Sequence, residues 1–169
     1  VYGPIQNGIL NEDRKYNPIN EYERTKLKSD YLVLEAANNK KFTCTLIRPS
    51  NVFGYQMRNQ SIFQMVKMID KGLFFFIGSV DASANYIPVE NVIHALYLAA
   101  TDPRAINKTY IVSDRISIES FVETISLALA KPIPKLRFPL LLVRSFAKLA
   151  SFIPKNPLTV ARVDALTNR

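Results

Sequence analysis

Short apolar runs alternate with amphipathic stretches of helical period along most of this 169-residue chain, and that alternation constrains the fold more than any other feature. Residues 42–47 are β-branched and stop at Pro49, which reads as a strand. Residues 73–77 form a fully apolar strand candidate, and residues 109–112 another. Helical period marks the segments between. Residues 21–39 carry an apolar stripe of Leu27, Tyr31 and Leu34, with Asn38-Asn39 as a stop. Residues 61–71 align Ile62, Met65, Val66 and Ile69 on one face, and Gly72 ends that helix. Residues 90–100 are expected to turn Ile93, Leu96, Tyr97 and Ala100 inward, and Ser117 to cap a helix carrying Phe121, Ile125 and Leu129. Val1-Tyr2-Gly3 reads as the end of a strand, followed by an Asn-, Gly- and Pro-rich loop to residue 20. Strands alternating with helices predict an α/β fold with a parallel sheet. No internal repeat or low-complexity tract interrupts the pattern.

Composition narrows the class. The length suits one domain of ordinary size, and 48% hydrophobic with 21% charged residues reads as globular. The single cysteine and single histidine leave no set of metal ligands, so no metal is expected. Cys44, in an apolar run, reads as a buried and inert thiol. His94 lies mid-helix beside apolar residues and reads as a helix-surface or packed side chain rather than a catalytic one. The formal charge of +8 has two readings, a polyanion partner or a missing acidic half. The basic residues are dispersed among acidic ones, with no Lys/Arg run interleaved with stacking aromatics, so nucleic acid is not an expected partner. No secretory leader and no bilayer-spanning apolar run is read, which fits a reducing cytoplasm.

Chemistry enters at Asn17-Pro18-Ile19-Asn20-Glu21-Tyr22-Glu23-Arg24-Thr25-Lys26. On a helix, Tyr22 and Lys26 share a face one turn apart. An ammonium beside a phenol stabilises the phenolate. A tyrosine so placed can exchange a proton while a hydride moves between a substrate carbon and a nicotinamide. The spacing alone is common, and its ordinary meaning is a solvated helix face. Three neighbouring segments change that weighting: Val1-Tyr2-Gly3-Pro4, then Arg48-Pro49-Ser50-Asn51-Val52-Phe53-Gly54, then Asn85-Tyr86-Ile87-Pro88-Val89-Glu90-Asn91-Val92.

Taken in order, these four segments resemble the extended short-chain dehydrogenase/reductase family, and most nearly its NAD-dependent sugar-nucleotide epimerase/dehydratase branch. The resemblance implies a partial Rossmann-like parallel sheet, its last strands only, with a smaller substrate-side subdomain over residues 131–169. It implies Tyr22 as general acid/base and Lys26 on the nicotinamide ribose. NAD or NADP would also be held by Pro49, Ser50, Asn51 and Val52. Substrate-side residues would be Tyr2, Asn51, Arg58, Asn85 and Tyr86. The implied substrate is a nucleotide-activated sugar, handled by an epimerase, dehydratase or keto-reductase. The alternatives are a non-sugar carbonyl or alcohol of steroid or flavonoid type, and a non-catalytic binding protein of the same descent. A homodimer is expected of the intact protein, and membrane attachment is not. Tyr2, Asn51 and Arg48 each keep a plainer reading: core packing, a turn residue, and a cap on the sheet end. Arg48 at the sheet end could instead meet a phosphate.

The sequence departs from the family pattern in places. Neither G-x-x-G-x-x-G nor G-x-G-x-x-G occurs among its 5 glycines, and the family's catalytic Ser or Thr would precede Val1. The chain is therefore expected to correspond to the C-terminal half of such an enzyme, and to bind cofactor weakly and be inactive alone. Ala84 stands where many relatives carry an arginine for the nucleotide diphosphate, which implies that Arg58 takes the task or that the substrate binds differently. Phe53 replaces a more usual tyrosine, and Thr25 stands where serine is common. Pro132, Pro134, Pro139, Pro154 and Pro157 bracket a basic amphipathic helix over residues 140–152, with Leu142, Phe146, Leu149 and Ile153 apolar and Arg144 and Lys148 basic. Such a helix covers a substrate pocket, packs on a partner subunit or lies on a membrane.

Overall fold

The computed structural model describes residues 1–3, 10–40, 42–57, 61–80 and 82–149. In chain order its elements are α1 (Glu21–Lys40), β1 (Leu46–Pro49), β2 (Asn51–Phe53), α2 (Ser61–Asp70), β3 (Phe76–Ile77), β4 (Ser83–Pro88) and α3 (Val89–Thr101). A single 3-10 turn (Pro103–Ala105) then leads to β5 (Thr109–Val112), β6 (Asp114–Ser117), α4 (Ile118–Ala128), β7 (Arg137–Phe138) and α5 (Leu140–Leu149). The α/β expectation is met. β1 runs parallel to β5, β2 to β4 and β3 to β7, and β6 is the other neighbour of β4. The chain divides into two compact units: Val1–Gly54 with Tyr86–Asp114, and Tyr55–Asn85 with the chain from Arg115 onward.

In the first unit, α1 starts where local hydrogen bonding dictates. The Asn20 carboxamide accepts from the Glu23 backbone N–H at 2.9 Å, and the Glu23 carboxylate accepts from the Ile19 N–H and the Asn20 side chain, both at 2.9 Å. This reciprocal cap satisfies donors that the first helical turn would otherwise leave orphaned. The expected strand at residues 42–47 is displaced to Leu46–Pro49. Upstream of it the chain is irregular: the Cys44 N–H donates to the Asn107 side chain and the Thr45 hydroxyl to the Ala105 carbonyl, in place of a ladder. Cys44 is half-buried rather than buried. Val1-Tyr2-Gly3 is not a strand. The Val1 carbonyl accepts from the Asn17 N–H at 3.1 Å, and Gly3 sits at φ +70° with the Asn17 carbonyl oxygen 2.1 Å from where a Cβ would lie. Only glycine fits that bend.

α3 packs on β1, β2 and the 3-10 turn. It does so by the half-buried Val92, Ala95 and Ala99, not by the expected set: Ile93 is 60% exposed, and Leu96, Tyr97 and Ala100 are exposed too. The helix is apolar around most of its girth, and the face with small side chains allows the closer approach to the strands. His94 lies on the exposed surface of this helix.

In the second unit, α2 packs against α4. Ile62, Met65 and Ile69 are buried as their spacing requires, together with Ile118 and Val122. Ser117 caps α4 by accepting from the Ser120 N–H at 3.1 Å. Gly72 ends α2 at φ +67°, with the Leu73 N–H reaching the Met68 carbonyl and the Gly72 N–H the Ile69 carbonyl. That 6→1 and 5→2 pair is a Schellman end. It consumes the Leu73 backbone, and the expected strand at residues 73–77 shrinks to Phe76–Ile77. Among the described side chains of α5 Val143 is buried, whereas Leu142, one of the apolar residues named for this helix, is exposed. Phe146 and Leu149 have side chains outside the described residues, as does Ile153 altogether. Among the described residues no helix is long and apolar enough to cross a membrane, and no cluster of three or more His, Cys, Asp or Glu could hold a metal.

Candidate active site

α1 carries the phenol and the ammonium on one face. The Lys26 Nζ lies 5.6 Å from the centroid of the Tyr22 ring, and Tyr22 is 72% exposed. The cap at Asn20 sets this register, because it fixes Tyr22 in the first turn and Lys26 in the second.

The segment after β1 lies beyond the carboxyl end of a parallel strand, the end at which open α/β sheets bind ligands. The ladder pairs Pro49 with Val112, and the Ser50 N–H adds a last bond to the Val112 carbonyl at 2.9 Å. The Ser50 hydroxyl is buried with no hydrogen-bond partner among the described residues. Asn51 and Val52 follow, both exposed. In the parallel β2–β4 ladder Asn51 stands opposite Tyr86, whose ring meets Phe53 edge-on at 6.4 Å. Burial pushes the Tyr86 phenol above its ordinary value. Asn85 is exposed and belongs to the second unit, and Arg58 lies outside the described residues.

Arg48, the residue before Pro49, is heavily engaged. Its Nη2 lies 2.8 Å and its Nε 3.1 Å from Asp30 Oδ2. It donates to the Tyr2 hydroxyl and, at 3.1 Å, to the Tyr16 hydroxyl. The guanidinium carbon stands 5.1 Å from the Tyr2 ring centroid and 4.9 Å from that of Tyr16. Arg48 thus binds the sheet end to α1 and to the preceding loop, and of its two readings this is the sheet-end one. Tyr2 is buried beneath it and donates to the Glu12 carbonyl at 3.4 Å. Burial pushes the Tyr2 phenol up, against the pull of Arg48. Asp30 and Tyr16 were not singled out from the sequence. Asp30 had a signal, since it continues the four-residue step of Tyr22 and Lys26; Tyr16 had none.

Residues 1–113 match the family model described as "NAD dependent epimerase/dehydratase family". The chain is 30% identical over 150 residues to short-chain dehydrogenase/reductase family 42E member 1 of Xenopus laevis, covering 80% of this chain and 38% of that protein. It is 34% identical over 98 residues to a decarboxylating sterol-4-alpha-carboxylate 3-dehydrogenase of Mus musculus, covering 57% of this chain and 27% of that protein. It therefore spans well under half the length of these curated relatives. Among solved structures, UDP-N-acetylglucosamine 4-epimerase from Methanobrevibacter ruminantium superposes with a TM-score of 0.66 at 22% identity, over 82% of this chain and 47% of that one. That likeness establishes the α/β fold, a Rossmann-like parallel arrangement. The motif order, the helix bearing Tyr22 and Lys26 and the family match over residues 1–113 converge: the chain belongs to the NAD dependent epimerase/dehydratase family, within the short-chain dehydrogenases/reductases.

Proposed function

We propose that the whole protein oxidises or reduces a carbinol or carbonyl carbon with NAD or NADP, using Tyr22 as general acid/base. The observation that carries this is the Lys26 ammonium standing 5.6 Å from the Tyr22 ring on an exposed helix face. In the oxidising direction the Tyr22 phenolate takes the proton of the substrate hydroxyl as the C=O bond forms, and in reverse the phenol returns it. Lys26 stabilises the anionic phenolate and offers donors to ribose hydroxyls. The Ser50 hydroxyl, buried beyond a strand's carboxyl end without a partner among the described residues, fits a polar ligand there, so Lys26 with Pro49, Ser50, Asn51 and Val52 would hold the dinucleotide. When bound, the nicotinamide accepts or supplies the hydride.

For the substrate, the first reading is a nucleotide-activated sugar, with Tyr2, Asn51, Arg58, Asn85 and Tyr86 on its side. A second reading, a sterol-like alcohol that carries no nucleotide diphosphate, has its own support. Ala84 is buried and offers no cation to a diphosphate, and the mouse relative is named for a sterol-4-alpha-carboxylate, which bears no diphosphate. Screening the whole enzyme against UDP- or dTDP-sugars and against sterol alcohols, with and without Arg58→Ala, separates them. If the sugar reading holds, Arg58→Ala raises KM for the nucleotide sugar with a smaller effect on kcat. Turnover only of sterol alcohols, indifferent to Arg58, overturns it and leaves the dehydrogenase chemistry standing.

A further inference from the structure

We infer that Arg48 is a positioning residue whose task is to occupy Asp30, so that Lys26 remains with Tyr22. The inference rests on the catalytic reading of Tyr22 and Lys26. These two residues and Asp30 follow one another at four-residue steps on α1, so each lies one turn from the next on the same face. Lys26 therefore has two oxygen-bearing neighbours within reach: the phenol one turn back and a carboxylate one turn ahead. A carboxylate with its full charge is the stronger attractant of the two. It is also partly desolvated, with 21% of its side chain exposed, which strengthens its pull on any nearby cation.

Asp30 already has a cationic partner, which offsets its charge. Arg48 holds its Oδ2 through two donors at 2.8 and 3.1 Å, and the side chain of Arg48 is itself only 12% exposed. The guanidinium is fixed in turn by the hydroxyls of Tyr2 and Tyr16 and lies against both rings. A lysine at this position would supply the charge but neither the planar fork nor the stacking. Arg48 also immediately precedes the Pro49–Val52 segment, so one residue ties the register of α1 to the end of the strand that leads into the proposed cofactor site.

This differs from a simple clamp in what happens when each partner is removed. In the whole enzyme, Arg48→Met releases Asp30 toward Lys26 and lowers kcat by about tenfold or more. Asp30→Leu removes the rival and costs roughly threefold or less, although it breaks the same ion pair. The double variant Arg48→Met/Asp30→Leu, which replaces the pair by apolar groups, recovers to within about threefold of the parent. A clamp predicts a different pattern: comparable losses in both single variants, since each leaves one partly buried charge unpaired. Those results would overturn the inference. If Arg48→Met fails to fold, Asp30→Leu decides alone, since a loss of about tenfold there is the result of a clamp. Tyr22→Phe measured alongside separates the two levels. Near-normal turnover in it brings down the catalytic reading, whereas its loss without rescue in the double variant brings down only the role of Arg48.

Discussion

In the unit built on α2, α4 and α5, buried apolar side chains such as Ile62, Met65, Ile69, Ile118 and Val122 form a core between helices. In the unit built on α1, β1 and α3, the buried apolar side chains among the described residues are Tyr2, Ala37, Ile87 and Ala105. The first unit instead shows a charged and aromatic cluster: Arg48 with Asp30, Tyr2 and Tyr16. One unit is held mainly by area removed from water, which is tolerant of direction. The other relies at its sheet end on hydrogen bonds and an ion pair, which are directional and lose their value when a partner shifts. The residues with catalytic potential, Tyr22 and Lys26, lie in the directional unit, where geometry rather than bulk hydrophobicity sets their placement.

Substitutions in each unit should therefore separate activity from stability. The largest effect is expected from Tyr22→Phe in the whole enzyme, which removes the proton-transfer group while keeping the ring. Turnover should fall on the order of a hundredfold or more, with cofactor affinity and thermal midpoint little changed. Retained turnover there would remove the functional half of the contrast. Lys26→Ala should damage both turnover and cofactor affinity. Next comes Ile69→Ala in the other unit, where the side chain is 1% exposed. It should lower stability by about 3 kcal/mol in urea unfolding, with kcat per folded molecule close to the parent. An equal loss of kcat per folded molecule would show that the units are not separable in this way.

The smallest effect sharpens the picture inside the second unit. α4 ends as α2 does, with the Lys131 N–H on the Ser126 carbonyl and the Ala130 N–H on the Leu127 carbonyl, but its left-handed residue is Ala130 at φ +51° rather than a glycine. A Cβ in that region is strained, whereas glycine carries only an entropic penalty. Ala130→Gly should stabilise by up to about 1 kcal/mol, and Gly72→Ala should cost a similar amount, because nothing lies within 4 Å of a Cβ built on Gly72 and only backbone strain acts. Opposite signs would mean that the two helix ends are governed by contacts and not by φ.

Features set by neighbours in sequence were legible before the structure. Residues 109–112 form a strand as read, Ser117 caps α4, Gly72 ends α2, and Tyr22 and Lys26 share a helical face, because helical period, capping and left-handed φ are properties of a few consecutive residues. Ala130 escaped the same reading, since alanine carries no preference for the left-handed region that tertiary and capping bonds impose on it there. What only the tertiary structure decided depends on segments far apart in the chain. α3 presents Val92, Ala95 and Ala99 to the strands instead of its larger apolar residues, a choice among overlapping apolar faces that spacing alone leaves degenerate. Arg48 could have capped a sheet or met a phosphate. Its partners Asp30, Tyr16 and Tyr2 are 18, 32 and 46 residues away, and a cation's role is set by whichever anion and rings the folded chain brings to it.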